Sequence, residues 1–276
     1  MKKISRRSFL AAAAVSVAAV ALTACGGSAS SAASSSAASS EAASSSAAAE
    51  LTTVESGKLT MATNATFPPY EMTTDAGTIE GIDIDTAQAI ADKLGLELQV
   101  DNMEFDSSLL SVQQGKADIV MAGVTVTPER QNVMDFSDSY ATGIQSVIVT
   151  NDSEIATLED LSGHLIGTQR GTTGYLYCTD DFGEDNVIAY DSGLTAVQAL
   201  NNGQVDCVVI DDAPAQAYVA ANPGLKVLDT SYAVEEYAIG IAKGNTALLD
   251  AVNAALAELA EEGTLQAIVD KYITAE

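Results

Sequence analysis

The sequence predicts an α/β fold in two lobes, each a mostly parallel sheet flanked by helices, with a ligand cleft between them. From Lys58 onward, short apolar runs alternate with helix-like segments, which is typical of parallel α/β sheets. A helix–Gly–strand pattern occurs twice, because residues 113–123 align without a gap on residues 201–211. About 220 residues remain for the folded part, enough for one large domain or two lobes.

The N-terminal residues predict export and a tether. Basic residues precede an apolar run at residues 9–22 that is too short to span a bilayer, so residues 1–24 are predicted to be a signal peptide. The twin arginines at residues 6–7 fit twin-arginine export, and the general route is equally possible. Residues 22–25 resemble a lipobox, which would make Cys25 the lipidated N-terminus. Residues 25–57, rich in Ser and Ala, predict a disordered tether.

The charge balance limits the possible partners. The chain has 12 Lys and Arg against 38 Asp and Glu, a net charge of −26. Loss of the signal peptide removes four basic residues and leaves 8 − 38 = −30. This excludes nucleic acid as a partner and leaves membrane attachment to the acyl chain. No later apolar stretch is long enough to cross a membrane.

The remaining cysteines and the one histidine predict no metal site. Cys178 and Cys207 could form a disulfide outside the cell or stay as buried thiols, and the sequence allows both. His164 is expected to be an ordinary structural residue at the start of a strand. The chain has no metal-ligand spacing, so we expect no metal and no cofactor.

The first lobe begins near Lys58. The predicted elements are a strand at 59–63, a loop at 64–70, a helix at 86–94 ended by Gly95, a strand at 96–100, a helix at 105–114 and a strand at 117–121. In the loop, Phe67 and Tyr70 could present an aromatic wall to a ligand.

The turn at residues 122–130 is the main candidate for a binding element. Thr127 and Pro128 are typical of a helix start, and the small residues before them expose backbone N–H groups. Arg130 is one of two arginines outside the signal peptide. Its planar guanidinium suits a carboxylate held by two hydrogen bonds. The alternative is a surface ion pair with an acid such as Asp135.

The second lobe has its own anion-binding candidate at residues 165–174, a strand followed by a Gly/Thr turn and a helix. It is not a nucleotide P-loop, because Thr172 stands where the lysine is required. The aligned repeats end at Gly123 and Asp211, at the carboxyl ends of strands, where open α/β sheets bind ligands. With Arg130 and this turn for a carboxylate and Asp211 for an ammonium group, the sequence predicts a receptor for a zwitterion.

From Lys58 to the C-terminus the chain resembles the type-3 extracellular solute-binding proteins, the polar amino-acid receptors of ABC importers. The resemblance is carried, in order along the chain, by residues 64–71, 81–85, 122–130, 135–138, 167–174, 208–214 and 262–264. It implies a type II periplasmic-binding-protein-like fold. Lobe 1 would comprise residues 58–141 and 238–276, lobe 2 residues 146–228, and hinge crossings would lie near 141–146 and 229–238.

The resemblance also implies roles for individual residues. The implied ligand-binding residues are Arg130 with the backbone of Thr125 and Thr173 for the α-carboxylate, Asp211 with the Gly123 carbonyl for the α-ammonium, Phe67 and Phe105 beside the side chain, and Asn64 and Gln169 at its far end. Relatives selective for lysine or arginine often have aspartate at position 64, so Asn64 argues against a strictly cationic ligand. Glutamine or cystine fits the two amides. Asp212 is an alternative to Asp211, and alternation along a strand allows only one of them to reach the ligand.

The function expected from this resemblance is capture of a polar amino acid by lobe closure and its delivery to an ABC permease. The protein would be a monomer, extracytoplasmic and lipid-anchored to the outer face of the bacterial cell membrane. It would not be an enzyme. The alternatives are a cyclohexadienyl-dehydratase-like enzyme, in which Glu71 could serve as general acid, and a tethered amino-acid sensor.

Overall fold

The computed structural model of the chain describes residues 51–273. The predicted signal peptide, Cys25 and the tether up to residue 50 lie outside these residues. Among the described residues, no helix combines the length and apolar character needed to cross a membrane.

The described chain alternates strands and helices. The strands are β1 (Lys58–Thr63), β2 (Thr66–Phe67), β3 (Glu71–Thr73), β4 (Ile79–Glu80), β5 (Glu97–Asn102), β6 (Ile119–Val120), β7 (Met134–Thr150), β8 (Ile166–Gln169), β9 (Val187–Tyr190), β10 (Cys207–Asp211), β11 (Leu225–Val227) and β12 (Ala233–Ala242). The helices are α1 (Ile82–Leu94), α2 (Phe105–Gln113), α3 (Pro128–Gln131), α4 (Thr173–Phe182), α5 (Gly193–Asn201), α6 (Asp212–Ala221), α7 (Thr246–Glu261) and α8 (Thr264–Tyr272).

The main sheet runs through both lobes in the order β5-β1-β6-β12-β7-β10-β8-β9, with β11 added to β7. In lobe 1, β1 pairs in parallel with β5 and β6, and in lobe 2, β8 pairs in parallel with β9 and β10. The prediction of mostly parallel lobes is therefore confirmed. The antiparallel pair β7–β12 joins the two lobes, so the sheets are continuous rather than separate.

Most predicted elements form near their expected positions. The clearest difference is α1, which begins at Ile82 rather than at Thr86. Gly81 has a φ of 143°, and a Cβ there would lie 2.1 Å from the Tyr70 carbonyl oxygen. The chain therefore turns at Gly81, and Asp83 and Asp85 fall in the first helical turn, where acidic side chains are favoured.

The aligned repeats adopt the same local structure. In the first, the Asp118 Oδ2 atom accepts a hydrogen bond of 2.8 Å from the Thr60 N–H at the start of β1. In the second, the Asp206 Oδ2 atom accepts one of 2.8 Å from the Leu165 N–H just before β8. Each aspartate thus holds its own strand against the neighbouring parallel strand. The repeats bring Gly123 and Asp211 to corresponding strand ends.

Each lobe has its own apolar core. In lobe 1, α1 and α7 pack on β1 and β6 through Leu59, Ile90 and Leu256. In lobe 2, Cys178 and Cys207 lie in a core with Ile166 and Leu161. Both cysteines are buried free thiols, and burial raises the pKa of Cys178 to about 12.

Both ends of the described chain lie on lobe 1. Near its start, the Val54 N–H donates to the Asp118 Oδ1 atom at 2.7 Å. Near its end, Lys271 and Tyr272 on α8 both bond to the Asp85 carboxylate on α1. Lobe 2 is therefore connected to the rest of the protein through β7 and the segment leading into β12.

Candidate functional site

A cavity lies between the lobes, where β6, β8 and β10 end, and its roughly 430 Å³ of empty space includes a part open to solvent. Its wall contains all nine predicted ligand-binding residues: Asn64, Phe67, Phe105, Gly123, Thr125, Arg130, Gln169, Thr173 and Asp211. The same wall includes residues that were not predicted to bind ligand: Glu71, Ala122, Gln145, Thr172, Val209 and Ile210. The structure therefore brings the predicted set together, while the role of each residue stays a prediction.

Arg130 is held at one end of the cavity by backbone carbonyls of both lobes. Thr127 caps α3 by accepting a hydrogen bond from the Arg130 N–H at 3.2 Å. The guanidinium donates to the Thr125 carbonyl at 2.7 Å and to the Gly171 carbonyl at 3.1 Å. It also lies over the Phe105 ring, 5.4 Å from the ring centroid, a favourable cation–π arrangement.

The alternative ion pair between Arg130 and Asp135 does not form. Asp135 instead pairs with Lys243 at 2.7 Å, which lowers the pKa of the Asp135 carboxyl. Burial lowers the pKa of Arg130, and the nearby charge of Glu235 raises it in part. A partly buried guanidinium without an ion pair among the described residues is well suited to an incoming carboxylate.

Backbone N–H groups border the same end of the cavity. The Val124 carbonyl and the Val126 N–H pair with β12, so the N–H and carbonyl of Thr125 point to the opposite side, where the carbonyl accepts from Arg130. Across the cleft, Thr172 caps α4 by accepting from the Tyr175 N–H at 3.3 Å. The N–H of Thr173, in the first turn of this helix, is one of the donors that an α-helix leaves without an internal partner.

Asp211 lies in the cavity wall and Asp212 does not. The Asp211 carboxylate accepts hydrogen bonds from the Tyr237 hydroxyl and, at 2.9 Å, from the Gln145 amide. Burial raises its pKa to about 7, although both hydrogen bonds favour the charged form. Asp212 begins α6 and instead accepts from the Ser146 hydroxyl at 3.1 Å. Of the two candidates, Asp211 is therefore in place to meet an ammonium group.

Two further carboxyl groups lie beneath Gly123. The Asp83 carboxylate accepts from the Gly123 N–H at 3.0 Å and from the Tyr140 hydroxyl at 2.8 Å. Burial raises the pKa of Asp83 to about 6. Glu71 is fully buried, which raises its pKa well above the usual value, and the charge of Asp83 raises it further. Burial thus favours the protonated form of Glu71, and Asp83 orients the backbone at Gly123.

The other end of the cavity is closed by two amides, one from each lobe. The Gln169 Nε2 atom donates to the Asn64 Oδ1 atom at 2.9 Å. Asn64 is otherwise satisfied, because its Nδ2 atom donates to the Met103 carbonyl at 2.8 Å and its Oδ1 atom also accepts from the Thr66 hydroxyl at 3.0 Å. The side-chain Oε1 atom of Gln169 makes no hydrogen bond within residues 51–273, whereas its backbone carbonyl accepts from the Thr172 hydroxyl at 2.8 Å. The Oε1 atom is therefore the acceptor that this pair leaves for a ligand.

Sequence reasoning missed Gln145 on β7 and Glu235 on β12. The Gln145 amide donates both to Asp211 and, at 3.0 Å, to the Glu235 carboxylate. Both side chains are buried where the two joining strands pass the cavity. Strand alternation could have indicated that Glu235 is buried, because it stands two residues before Tyr237 and therefore on the same face of β12.

The single histidine lies outside the cavity. His164 contacts Asp206 at 3.1 Å, away from the cavity. Within the described residues, no group of three or more His, Cys, Asp or Glu side chains could hold a metal ion.

Two α/β lobes joined by a pair of long strands, with a polar cavity between them, define a type II periplasmic solute-binding protein. The family model of the bacterial extracellular solute-binding proteins, family 3, matches residues 59–275. The chain belongs to this family. Its members work outside the cytoplasm, and binding rather than catalysis is their common activity.

Individual relatives are amino-acid-binding proteins. The chain is 32% identical over 225 residues to the L-cystine-binding protein TcyJ of Escherichia coli (strain K12), covering 80% of this chain and 85% of that protein. It is 34% identical over 220 residues to ABC transporter arginine-binding protein 1 of the same strain, covering 78% and 90%. A solved structure of an ancestral arginine-binding protein bound to glutamine is 39% identical, with a TM-score of 0.76, and the match covers 79% of this chain and 99% of that one.

Proposed function

We propose that this protein binds a polar amino acid as a zwitterion and delivers it to the permease of an ABC importer. The observation that carries the proposal is that one partly buried guanidinium, Arg130, and one buried carboxyl group, Asp211, lie in the wall of a single cavity. The α-carboxylate would bind Arg130 and the N–H groups of Thr125 and Thr173. The α-ammonium would bind Asp211 and the Gly123 carbonyl.

The far end of the cavity favours a neutral polar side chain. Asn64 and Gln169 offer amides rather than carboxylates, and the side-chain Oε1 atom of Gln169 can accept a hydrogen bond from the ligand. Phe67 and Phe105 flank the space between the two ends. Glutamine fits this arrangement, and so does cystine, whose second amino-acid group is also polar. The names of relatives include cystine-binding and arginine-binding proteins, which supports an amino acid as the ligand.

Delivery and anchoring follow from the N-terminal pattern and from the family. We propose that Cys25 carries the lipid and that the protein is a monomer tethered to the outer face of the cell membrane. Lobe 1 would comprise residues 58–141 and 238–276, and lobe 2 residues 146–228, with β7 and β12 acting as the hinge. Ligand would shift an equilibrium between open and closed forms by its differential affinity for the closed one.

The first test is thermal unfolding of residues 51–276 against a panel of free amino acids that includes glutamine, cystine, arginine, lysine and histidine. A ligand at a thousand times its dissociation constant should stabilise the protein by about 4 kcal/mol, which raises the melting temperature by roughly 8–16 °C at this size. If no amino acid raises it, even after unfolding, dialysis and refolding to remove a copurified ligand, the proposal fails.

Delivery needs a separate test in cells. Deleting the gene should abolish high-affinity uptake of the amino acid identified in the panel, and restoring it should recover uptake. Unchanged uptake with intact binding would favour the tethered sensor over the importer subunit.

One observation favours an enzyme as a second candidate function. Glu71 lies in the cavity wall, and burial raises the pKa of its carboxyl well above the usual value, which favours the protonated form that a general acid needs. Turnover of prephenate or arogenate by the purified protein, lost in Glu71→Gln, would support a dehydratase.

A further inference from the structure

Glu235 is a buried carboxylate on the strand that joins the two lobes. It lies on β12, and 5% of its surface is exposed, whereas its neighbours Val234 and Glu236 on the same strand are exposed. It is absent from the cavity wall and lies directly behind it. A carboxylate in such a position needs several donors to offset the loss of water.

One oxygen of Glu235 receives donors from both lobes and from the other joining strand. The Oε2 atom accepts hydrogen bonds from the Thr125 hydroxyl at 3.1 Å, the Thr173 hydroxyl at 3.0 Å and the Gln145 amide at 3.0 Å. Thr125 follows β6 in lobe 1, Thr173 opens α4 in lobe 2, and Gln145 is on β7. A single atom therefore connects the two sides of the cleft.

These contacts depend on the separation of the lobes. Thr125 and Thr173 can both reach the same oxygen only when the segment after β6 and the start of α4 lie on either side of it. Moving the lobes apart must break at least one of these hydrogen bonds. Hydrogen bonds to a charged acceptor are stronger than neutral ones, particularly where water is excluded. Glu235 therefore favours the closed arrangement.

The same contacts orient the proposed α-carboxylate site. Because both threonine hydroxyls donate to Glu235, their hydrogens are directed away from the cavity, and the backbone N–H groups of Thr125 and Thr173 are left to face it. Glu235 also lies near Arg130, and its charge favours the charged form of that guanidinium.

We propose that Glu235 is a positioning residue for closure: it holds Thr125 and Thr173 at their closed separation and thereby slows release of the bound amino acid. The effect on the release rate rests on the proposed amino-acid site, whereas the effect on lobe separation does not depend on that proposal.

The experiment compares Glu235→Ala and Glu235→Gln with Glu236→Ala, a matched control on the same strand whose side chain faces solvent. The proteins are residues 25–276 with Cys25→Ser, so that no lipid is attached. Spin labels at Ser107→Cys on α2 and Gln198→Cys on α5, both exposed, report the distance between lobes. Cys178 and Cys207 are buried, so they do not compete for the label.

Two quantities are measured: the distance distribution without ligand and the dissociation rate of the amino acid found in the panel. Glu235→Ala should shift the distribution toward longer distances and speed release at least tenfold, which corresponds to about 1.4 kcal/mol. Glu235→Gln keeps an acceptor oxygen of the same shape, so it should restore most of the wild-type distribution. Glu236→Ala should match the wild type in both measurements.

A wild-type distance distribution together with an unchanged release rate in folded Glu235→Ala would overturn the inference. If Glu235→Ala does not fold, Thr173→Val replaces it, because it removes one donor and keeps the side-chain shape. With Glu235 unchanged, Thr173→Val should widen the lobe separation, and an unchanged separation would overturn the inference as well. If the wild type binds no amino acid, the proposed function fails, and the ligand-free distances still decide the role of Glu235.

Discussion

The two ends of the cavity differ in chemistry. At one end, the protein holds the Arg130 guanidinium and the Asp211 carboxyl group in place through carbonyls, a tyrosine hydroxyl and an amide. At the other end, Asn64 and Gln169 are neutral and bond to each other across the lobes. The charged end fits the part that all amino acids share, and the amide end faces the part in which they differ.

The difference shows where the site tolerates change. A buried charge that loses its partner retains the full cost of desolvation, so the charged end should respond strongly to single substitutions. An amide can reorient and exchange partners at smaller cost. We therefore expect substitutions at the charged end to abolish binding of every amino acid, and substitutions at the amide end to change which amino acid binds.

The largest effect is expected for Arg130→Lys. Lysine lacks the planar guanidinium that places separate N–H groups on the Thr125 and Gly171 carbonyls and presents two parallel donors to a carboxylate. Two charge-assisted hydrogen bonds contribute about 3 kcal/mol to the binding free energy, and their loss would weaken binding by roughly a hundredfold. Isothermal titration calorimetry measures this, with Arg170→Lys as the control because Arg170 is exposed. An unchanged dissociation constant in Arg130→Lys would remove this residue from the carboxylate site.

A somewhat smaller effect is expected for Asp211→Asn. The amide keeps the shape and one acceptor but loses the charge that meets the ammonium group, so we expect binding to weaken by about tenfold to a hundredfold. Asp212→Asn should leave the affinity near that of the wild type, since Asp212 bonds to Ser146 and Gln216 instead. Equal losses in the two variants would contradict the assignment of Asp211.

At the amide end, Asn64→Asp should change selectivity more than overall affinity. The new carboxylate would favour a cationic side chain, so binding of arginine or lysine should improve relative to glutamine by about tenfold. Part of the gain is offset because the carboxylate cannot donate to the Met103 carbonyl as Asn64 does. Competition titrations with the three amino acids measure the ratio. A uniform loss for all three would place Asn64 in a purely structural role.

The smallest effect is the pH dependence of binding. Burial raises the pKa of Asp211 to about 7, so the ligand-free folded protein holds a proton over a pH range in which the unfolded chain has released it. Its contribution to ligand-free stability is therefore greatest below pH 4 and decreases as pH rises toward 7. An ammonium ligand favours the ionised carboxylate, so binding should strengthen about fourfold between pH 6.5 and 8.

Calorimetry in matched buffers at the two pH values measures this change. Asp83, with a pKa of about 6, titrates mostly below this range. Asp211→Asn should abolish the dependence, and a dependence that persists in this variant would assign it to another group.

Two of the predicted ligand residues could be found from local sequence, whereas the roles of most of the others were implied by the family resemblance. Arg130 stands three residues after its capping Thr127, and Asp211 ends an apolar run, so both could be placed from their immediate neighbours. Gln145 and Glu235 could not be found in this way. They meet through the pairing of β7 with β12, about 90 residues apart in the chain, and no local pattern encodes such a pairing.

In the fold, too, local features could be predicted and long-range pairings could not. The alternation of strands and helices predicted the parallel lobes, since each element depends on periodicity within a few residues. The continuous sheet was not predicted, because β6, β12 and β7 become neighbours only when the chain returns from lobe 2. The early start of α1 depends on the close approach of Gly81 to the Tyr70 carbonyl, a contact that spacing alone does not reveal.

The place of β12 in the sheet also sets an order of assembly during synthesis. The strands that form the lobe 2 sheet, β7 to β11, are complete by Val227, so that sheet can form before the chain is finished. Lobe 1 begins first but closes last, since β6 gains its neighbour only when residues 233–242 have been made. A chain that stops before Ala233 would leave β6 and much of β7 with exposed edges, which are open to pairing with other chains.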